Sequence, residues 1–354
     1  MKNITIENIY WMLSYAFRNI NDKNIKKMSN EEFENIYELF SFIMTQELNK
    51  QIKRGLNKEY INVKEETSTI QGKIVLNDLI KKEYKRNLKI MCEFDEYSSN
   101  SYLNQIVKTA CMFLIKSSKI KDKNKIIKLK RTLLFISNVD EINPKNIKWE
   151  LIKYNKFNSS YKILINVSYL ILKGLLMSEK NGYYSYKDYL DDQEMCKLYE
   201  KFILEYYKYH YSKFNVSSTV IEWNVNNRET NQLIGLLPKM QTDVTLKYKD
   251  RTLIIDAKYY SNMYQNNKLY NKNTFISNNL YQLYAYVKNK DINAKGNVSG
   301  MLLYAKNDSN DVIWSEYDMN GNNMIISNLD LSKNFEIVKE QLNMIAYKFI
   351  CEEI

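Results

Sequence analysis

The sequence predicts an α/β protein in two parts, on three observations. At 354 residues and roughly 100–200 residues per domain, two domains are expected. A polar stretch near the middle, Ser178-Glu-Lys-Asn-Gly-Tyr-Tyr-Ser-Tyr186, marks their boundary. Beyond it the elements read α-β-β-β-α-β, while the first half mixes helices with a few strands in an α+β pattern. The expected division is residues 1–185 and 186–354.

The elements follow in order. Ile6, Ile9, Tyr10, Leu13, Phe17 and Ile20 recur at helical spacing with polar residues between them. No small-residue cleavage site follows, so this is an amphipathic helix and not a signal peptide. A second helix is expected over residues 31–51, then a hairpin of strands 60–66 and 69–76 and a further strand over 90–97. Helices follow over 102–117 and 124–135, a polar connection around Pro144, and a long helix over 161–177. The second half opens with a helix over 191–211, striped by Met195, Leu198, Tyr199, Phe202 and Tyr206. Strands are expected over 216–223, 240–248 and 252–258, a helix over 277–288, and strands over 300–305 and 312–317. The last helix starts near Ser332 as its N-cap, with Val338, Leu342, Ile345 and Phe349 on one face.

Composition narrows the chemistry. The 52 Lys+Arg against 41 Asp+Glu give a formal charge of +11, which favours a polyanionic partner. Lys, Asn, Ile and Tyr crowd the whole chain, a bias that AT-rich coding alone produces, so local clusters say more than the total. One cluster holds Lys116, Lys119, Lys121, Lys123, Lys125, Lys128, Lys130 and Arg131 against Asp122 alone; the other holds Lys81, Lys82, Lys85, Arg86 and Lys89. DNA contact through Lys116, Lys119, Lys123, Lys130 and Arg131 is the functional reading, with an acidic protein partner as its rival. Cys92, Cys111, Cys196 and Cys351 are scattered and lack paired spacing. That argues against a zinc ribbon, an iron–sulfur cluster and a disulfide framework, and for reduced thiols in the cytoplasm. A single His, His210, argues against His-based metal sites and Ser-His-Asp triads, so any catalysis is expected to use carboxylates and lysines. No apolar run approaches the ~20 residues that span a bilayer. No phosphate-binding glycine loop occurs, so the chain is not expected to bind or hydrolyse a nucleotide itself.

The chemistry-bearing stretch is Leu236-Leu-Pro-Lys-Met-Gln-Thr-Asp243 followed by Leu253-Ile-Ile-Asp256-Ala-Lys258. The two predicted strands are joined by a turn at Lys249-Asp250-Arg251. Side chains at i and i+2 share a face of a strand, so Asp256 and Lys258 point the same way and Asp243 reaches them from the neighbouring strand. Two carboxylates and an amine suit a hard cation such as Mg²⁺ and phosphodiester hydrolysis. On the following helix, Gln282 and Tyr286 stand at i and i+4, on one face. Their amide and phenol can donate to phosphate oxygens.

This arrangement resembles the PD-(D/E)xK nuclease core, which implies a mixed central sheet flanked by helices. Gln282 and Tyr286 resemble the Q-x-x-x-Y motif of RecB-like nucleases. In such nucleases a Glu of the opening helix often joins the metal site, and Glu200 and Glu205 are the candidates. The opening Ile6-Glu-Asn-Ile-Tyr-Trp-Met-Leu-Ser-Tyr-Ala-Phe17 resembles that of the McrC family. So do Arg54-Gly-Leu56, Ile70-Gln-Gly-Lys-Ile74, Asn104-Gln-Ile-Val-Lys108, Ile255-Asp-Ala-Lys-Tyr-Tyr260 and Asn279-Leu-Tyr-Gln-Leu283. The resemblance implies the DNA-cleaving subunit of a McrBC-like restriction system directed at methylcytosine in the prokaryotic cytoplasm. Residues 1–185 would dock on a McrB-like AAA+ hexamer and stimulate its GTPase; residues 186–354 would cut modified double-stranded DNA. GTP would be bound by the partner, and a dimer would bridge two motor rings. The implied catalytic residues are Asp243, Asp256 and Lys258; Asp243, Asp256 and the Ala257 carbonyl would bind Mg²⁺. A non-catalytic motor adaptor and a stand-alone RecB-like repair nuclease are the competing readings.

Overall fold

The structure, a computed structural model, describes residues 4–17, 33–75, 89–178, 192–225, 236–259, 263–267, 272–306 and 313–351. The basic residues Lys81, Lys82, Lys85 and Arg86 and the stretch Ser178–Tyr186, apart from the helical backbone of Ser178, lie outside them. The chain divides into two compact units: residues 32–183, and residues 1–31 together with 184–354. The expected single cut at 185 assigned the first helix to the wrong unit. That helix, α1 (Ile6–Ala16), is capped by the Thr5 hydroxyl, which accepts from Asn8 N at 3.1 Å. An amphipathic helix needs one apolar surface; α1 is buried from Tyr10 through Ala16, because it packs on two helices of the C-terminal part.

The unit of residues 32–183 begins with α2 (Ile36–Arg54), where the Asn35 side chain accepts from Tyr37 N and Glu38 N. Next come β1 (Glu59–Thr67), β2 (Lys73–Ile74) and β3 (Ile90–Ser98). The expected hairpin between 60–66 and 69–76 does not form. β1 pairs antiparallel with β3 over nine residues, and β2 pairs with the other edge of β3, giving the order β1-β3-β2. Nine paired residues outweigh the few that the shorter hairpin offers. Gly72 (φ +63°) also holds its backbone against Glu93 O and Phe94, where a Cβ would sit at 2.4 Å from that oxygen. α3 (Tyr102–Lys116), α4 (Lys123–Leu134) and α5 (Lys162–Ser178) complete the unit near their expected positions.

The second unit continues with α6 (Asp192–His210), β4 (Val220–Ile221), β5 (Met240–Gln241), β6 (Val244–Tyr248) and β7 (Arg251–Lys258). The expected strand 240–248 is broken at Thr242, and the strand 216–223 shrinks to two residues. β8 (Tyr264–Asn267) and β9 (Lys272–Phe275), not anticipated, form a two-stranded sheet. α7 (Ser277–Lys290), β10 (Val298–Ala305), β11 (Trp314–Asp318), β12 (Asn323–Leu329) and α8 (Phe335–Cys351) follow. β12 was also not anticipated. Ser332 does not cap α8: its hydroxyl bonds Asp330 Oδ1 at 2.5 Å, and Asn334 Oδ1 takes Ile337 N at the helix start.

A five-stranded sheet, β11-β12-β10-β7-β6, organises this unit. β10 runs parallel to both β7 and β12, while β6 and β11 are antiparallel edges. The sheet is therefore mixed, with its parallel centre buried on both faces. α7 packs against β10 at Gly300, where an added Cβ would meet Met324 Sδ, Val287 Cγ2 and Leu283 Cγ within 2.9 Å. α1 lies against α6 and α8: Trp11 stacks on Phe335 at 4.6 Å, and Asn8 Nδ2 donates to Leu331 O and Lys333 O.

Candidate active site

The break between β5 and β6 positions the first candidate residue, Asp243. Thr242 is buried; its N–H donates to Thr219 O at 3.0 Å and its hydroxyl accepts from Thr219 N at 2.9 Å. This fixes the bend that presents Asp243. The β6–β7 ladder begins at Val244 opposite Ile255, so the N–H of Ala257 lies just beyond it and donates to Asp243 Oδ2 at 2.8 Å. Asp256 is only 1 % exposed on the central strand β7. Its Oδ2 meets the Lys258 ammonium at 2.8 Å, without a donor in hydrogen-bond geometry on that oxygen. Asp243, Asp256 and Lys258 come together as their spacing predicts.

The electrostatics are those of crowded carboxylates. Burial pushes Asp243 up to about 7; the nearby charges of Asp256 and Glu200 add to this, and the Ala257 N–H and Lys258 oppose it. Burial also raises Asp256, with Lys258 pulling the other way. Glu200 on α6 is raised by burial as well, lowered by Lys258 and raised by Asp256. Glu205 is five residues on, about 140° round the helix, and pairs with Lys208 at 3.1 Å. Of the two glutamates, Glu200 is the one whose charge acts on Asp243.

Among the described residues, no three Asp, Glu, His or Cys side chains converge tightly on one point. Mg²⁺ needs only one or two carboxylates and keeps several waters. Two buried neighbouring carboxylates, Asp243 and Asp256, fit such an ion. The resolved role of Ala257 is its N–H on Asp243.

Gln282 and Tyr286 sit differently from expectation. Lys258 Nζ donates to Gln282 Oε1 at 3.1 Å, and Gln282 Nε2 donates to the Tyr286 hydroxyl at 2.8 Å. Tyr286 is buried in the core beneath α7, beside Leu283 and Leu302. In this arrangement the Tyr286 hydroxyl accepts from Gln282, whose amide oxygen in turn accepts from Lys258. In the basic cluster of the other unit, Lys116 pairs with Glu141 at 3.1 Å and Lys119 donates to the Tyr37 hydroxyl at 2.9 Å. Lys123, Lys130 and Arg131 are exposed on α4.

Beside Asp243 opens a cleft of about 360 Å³, lined by Lys197, Glu200, Lys201, Leu204, Ser218, Gln241, Thr242 and Asp243. Sequence reasoning missed Lys197, Lys201, Ser218 and Gln241. The available signal was the i, i+3, i+4, i+7 run Lys197-Glu200-Lys201-Leu204, which sets both lysines on the face that carries Glu200.

The profile of the family described as McrBC 5-methylcytosine restriction system component matches residues 5–305. The chain is 25% identical over 280 residues to the type IV methyl-directed restriction enzyme EcoKMcrBC of Escherichia coli K12, covering 77% of each protein. Its fold is similar to a chain of the refined half-complex from the tetradecameric assembly of Thermococcus gammatolerans McrB AAA+ hexamers with bound McrC. That match has a TM-score of 0.53 and 16% identity over 97% of this chain and 75% of that one. A match to the cryo-EM structure of the McrBC complex of the same organism has a TM-score of 0.40 and 18% identity over 58% of each chain. With more than four-fifths of its length under the family profile, and that match running from α1 through β10, the chain belongs to the McrBC 5-methylcytosine restriction system component family.

Proposed function

We propose that the chain is the DNA-cutting subunit of a methylation-directed restriction system, acting with an AAA+ motor. The observation that carries this reading is the Asp243–Asp256–Lys258 cluster on a mixed sheet. A bound Mg²⁺ would polarise the scissile phosphate and supply an acidified water. Asp243 and Asp256 would hold the ion, with the Ala257 carbonyl as a further ligand. Lys258, held by Asp256 on one side and Gln282 on the other, orients the attacking water and offsets charge growing on the phosphoryl oxygens. Gln282 and Tyr286 keep the ammonium in place. Glu200 adds negative charge at the rim and helps retain the cation's waters.

Family membership supports the restriction setting, and the McrB hexamers in the fold match suggest the kind of partner. On this reading GTP belongs to the motor, and residues 32–183 supply the docking unit. The test is cleavage of methylated DNA by the chain with a motor partner in Mg²⁺. Asp256→Ala or Lys258→Ala should abolish cutting, by about 10³-fold or more, while leaving the complex intact. Cutting at the wild-type rate by either variant would overturn the assignment. Efficient cutting without any motor would favour a stand-alone nuclease instead.

A further inference from the structure

The candidate centre has a difficulty of its own. Asp243 and Asp256 crowd the centre, the charge of Glu200 on α6 reaches Asp243, and a DNA strand brings more negative charge. Lys258 is committed to Asp256 and Gln282, so it cannot also hold the flanking phosphates. Something else must draw the strand across an acidic site.

The cleft beside Asp243 supplies the groups. One wall is α6, whose Lys197 and Lys201 are exposed one turn apart and bracket Glu200. Lys197 pairs within its helix with Glu194 at 3.3 Å, and Lys201 rests over the Phe17 ring at 4.5 Å. The Lys197–Glu194 pair is a surface contact that a polyanion displaces at little cost, and a lysine over a ring keeps its charge for a further partner. The lining also takes in residues beside the short β4–β5 pair. Ser218 Oγ donates to Thr242 O at 2.7 Å, and Gln241 Nε2 donates to Ser218 Oγ at 3.1 Å. A carboxamide has two N–H donors, so Gln241, exposed at the rim, keeps a second one for a ligand. The cleft thus carries two cations about Glu200 and a neutral donor, and Asp243 is part of its lining.

We infer that this cleft is the track of the cleaved strand: Lys197 and Lys201 grip successive backbone phosphates next to the scissile one, and Gln241 bounds the strand. The ligand is a nucleic-acid phosphodiester chain, read through its backbone and not its bases. This rests on the nuclease reading above and adds residues to it.

The test is salt dependence. Each lysine bound to a phosphate releases a counterion, so removing it lowers the slope of log affinity against log salt by about one. A labelled DNA duplex is titrated with the full chain in Ca²⁺ across a salt series. Lys197→Gln with Lys201→Gln should flatten the slope by about two, and Gln241→Ala should leave it unchanged. Lys197→Arg with Lys201→Arg should restore the wild-type slope, which loss of the Phe17 contact or of fold would not do. A double Gln variant with the wild-type slope overturns the track alone, provided the wild type binds and, with its motor, cuts. A wild type that cuts methylated DNA with its motor yet shows no salt-sensitive binding also overturns the track alone; a wild type that does not cut with its motor overturns the nuclease reading and the track with it.

Discussion

Asp243 is the residue on which chemistry and stability meet. Its ordinary value is 3.8, and in the fold it stands at about 7 without a cation. Between these two values the folded chain holds a proton that the unfolded chain has lost. Acidification from pH 7 toward 4 therefore favours the fold through this group, and that contribution fades as pH rises through 7. The sign is opposite to that of a salt-bridged carboxylate. Asp243→Asn keeps the acceptor for Ala257 N–H and removes the charge. In a metal-free chain above pH 7 it should raise stability by about 1–3 kcal/mol, while cutting is lost. Thermal unfolding in chelator across pH checks this: the variant should be flatter in pH and more stable at the alkaline end. With Mg²⁺ added, only the wild type should gain. An equal gain in both would remove Asp243 from the metal site.

At the scale of elements, α7 matters because it delivers Gln282 to Lys258. Its distance from the sheet is set by Gly300, where an added Cβ would find Met324, Val287 and Leu283 closer than 3.0 Å. Gly300→Ala should cost about 1–3 kcal/mol through overpacking. By lifting α7 it should also slow cutting more than Tyr286→Phe, which removes only one link of the anchor. Chemical denaturation and single-turnover cleavage measure the two effects; a destabilised variant with wild-type cleavage would show that α7 does not set the position of Lys258. The same element scale explains what could be read beforehand. Asp256 and Lys258 were legible because strand periodicity and the turn at Lys249 and Asp250 leave little freedom in register. β12 was not, because Asn323–Leu329 is buried on both faces and shows no polar–apolar alternation to mark it. β1 was recognised as a strand, but its partner is chosen by non-local pairing with β3, which local sequence does not encode. The anchoring role of Tyr286 was hidden too: helical spacing puts it beside Gln282, and only the packing of α7 decides that it faces the core. Lys197 and Lys201 look, in sequence, like any lysines on a solvated helix face.

At the scale of the whole molecule, the chain starts in one unit, crosses to the other near residue 32 and returns near 184. The first helix is thereby built into the unit that carries the candidate catalytic centre. Its Trp11 lies 8 % exposed against Phe335, and Tyr15 packs on Phe202 and Tyr206 with its hydroxyl 2.7 Å from His210 Nε2. Asn8 supplies the donors for Leu331 O and Lys333 O. A fragment comprising residues 184–354 keeps the sheet but loses this cover, leaving aromatic faces of α6 and α8 in water and two carbonyls without their donor. Trp11→Ala in the full chain should cost about 3–5 kcal/mol, as for a large aromatic removed from a core. The 184–354 fragment should melt lower than the same unit in the full chain, and adding a peptide of residues 1–17 should raise its melting temperature in proportion to occupancy. Because α6 carries Glu200, Lys197 and Lys201, any DNA binding by the fragment should recover with the same peptide concentration that restores its stability. A fragment whose melting temperature ignores the peptide would mean that α1 covers a unit already stable without it.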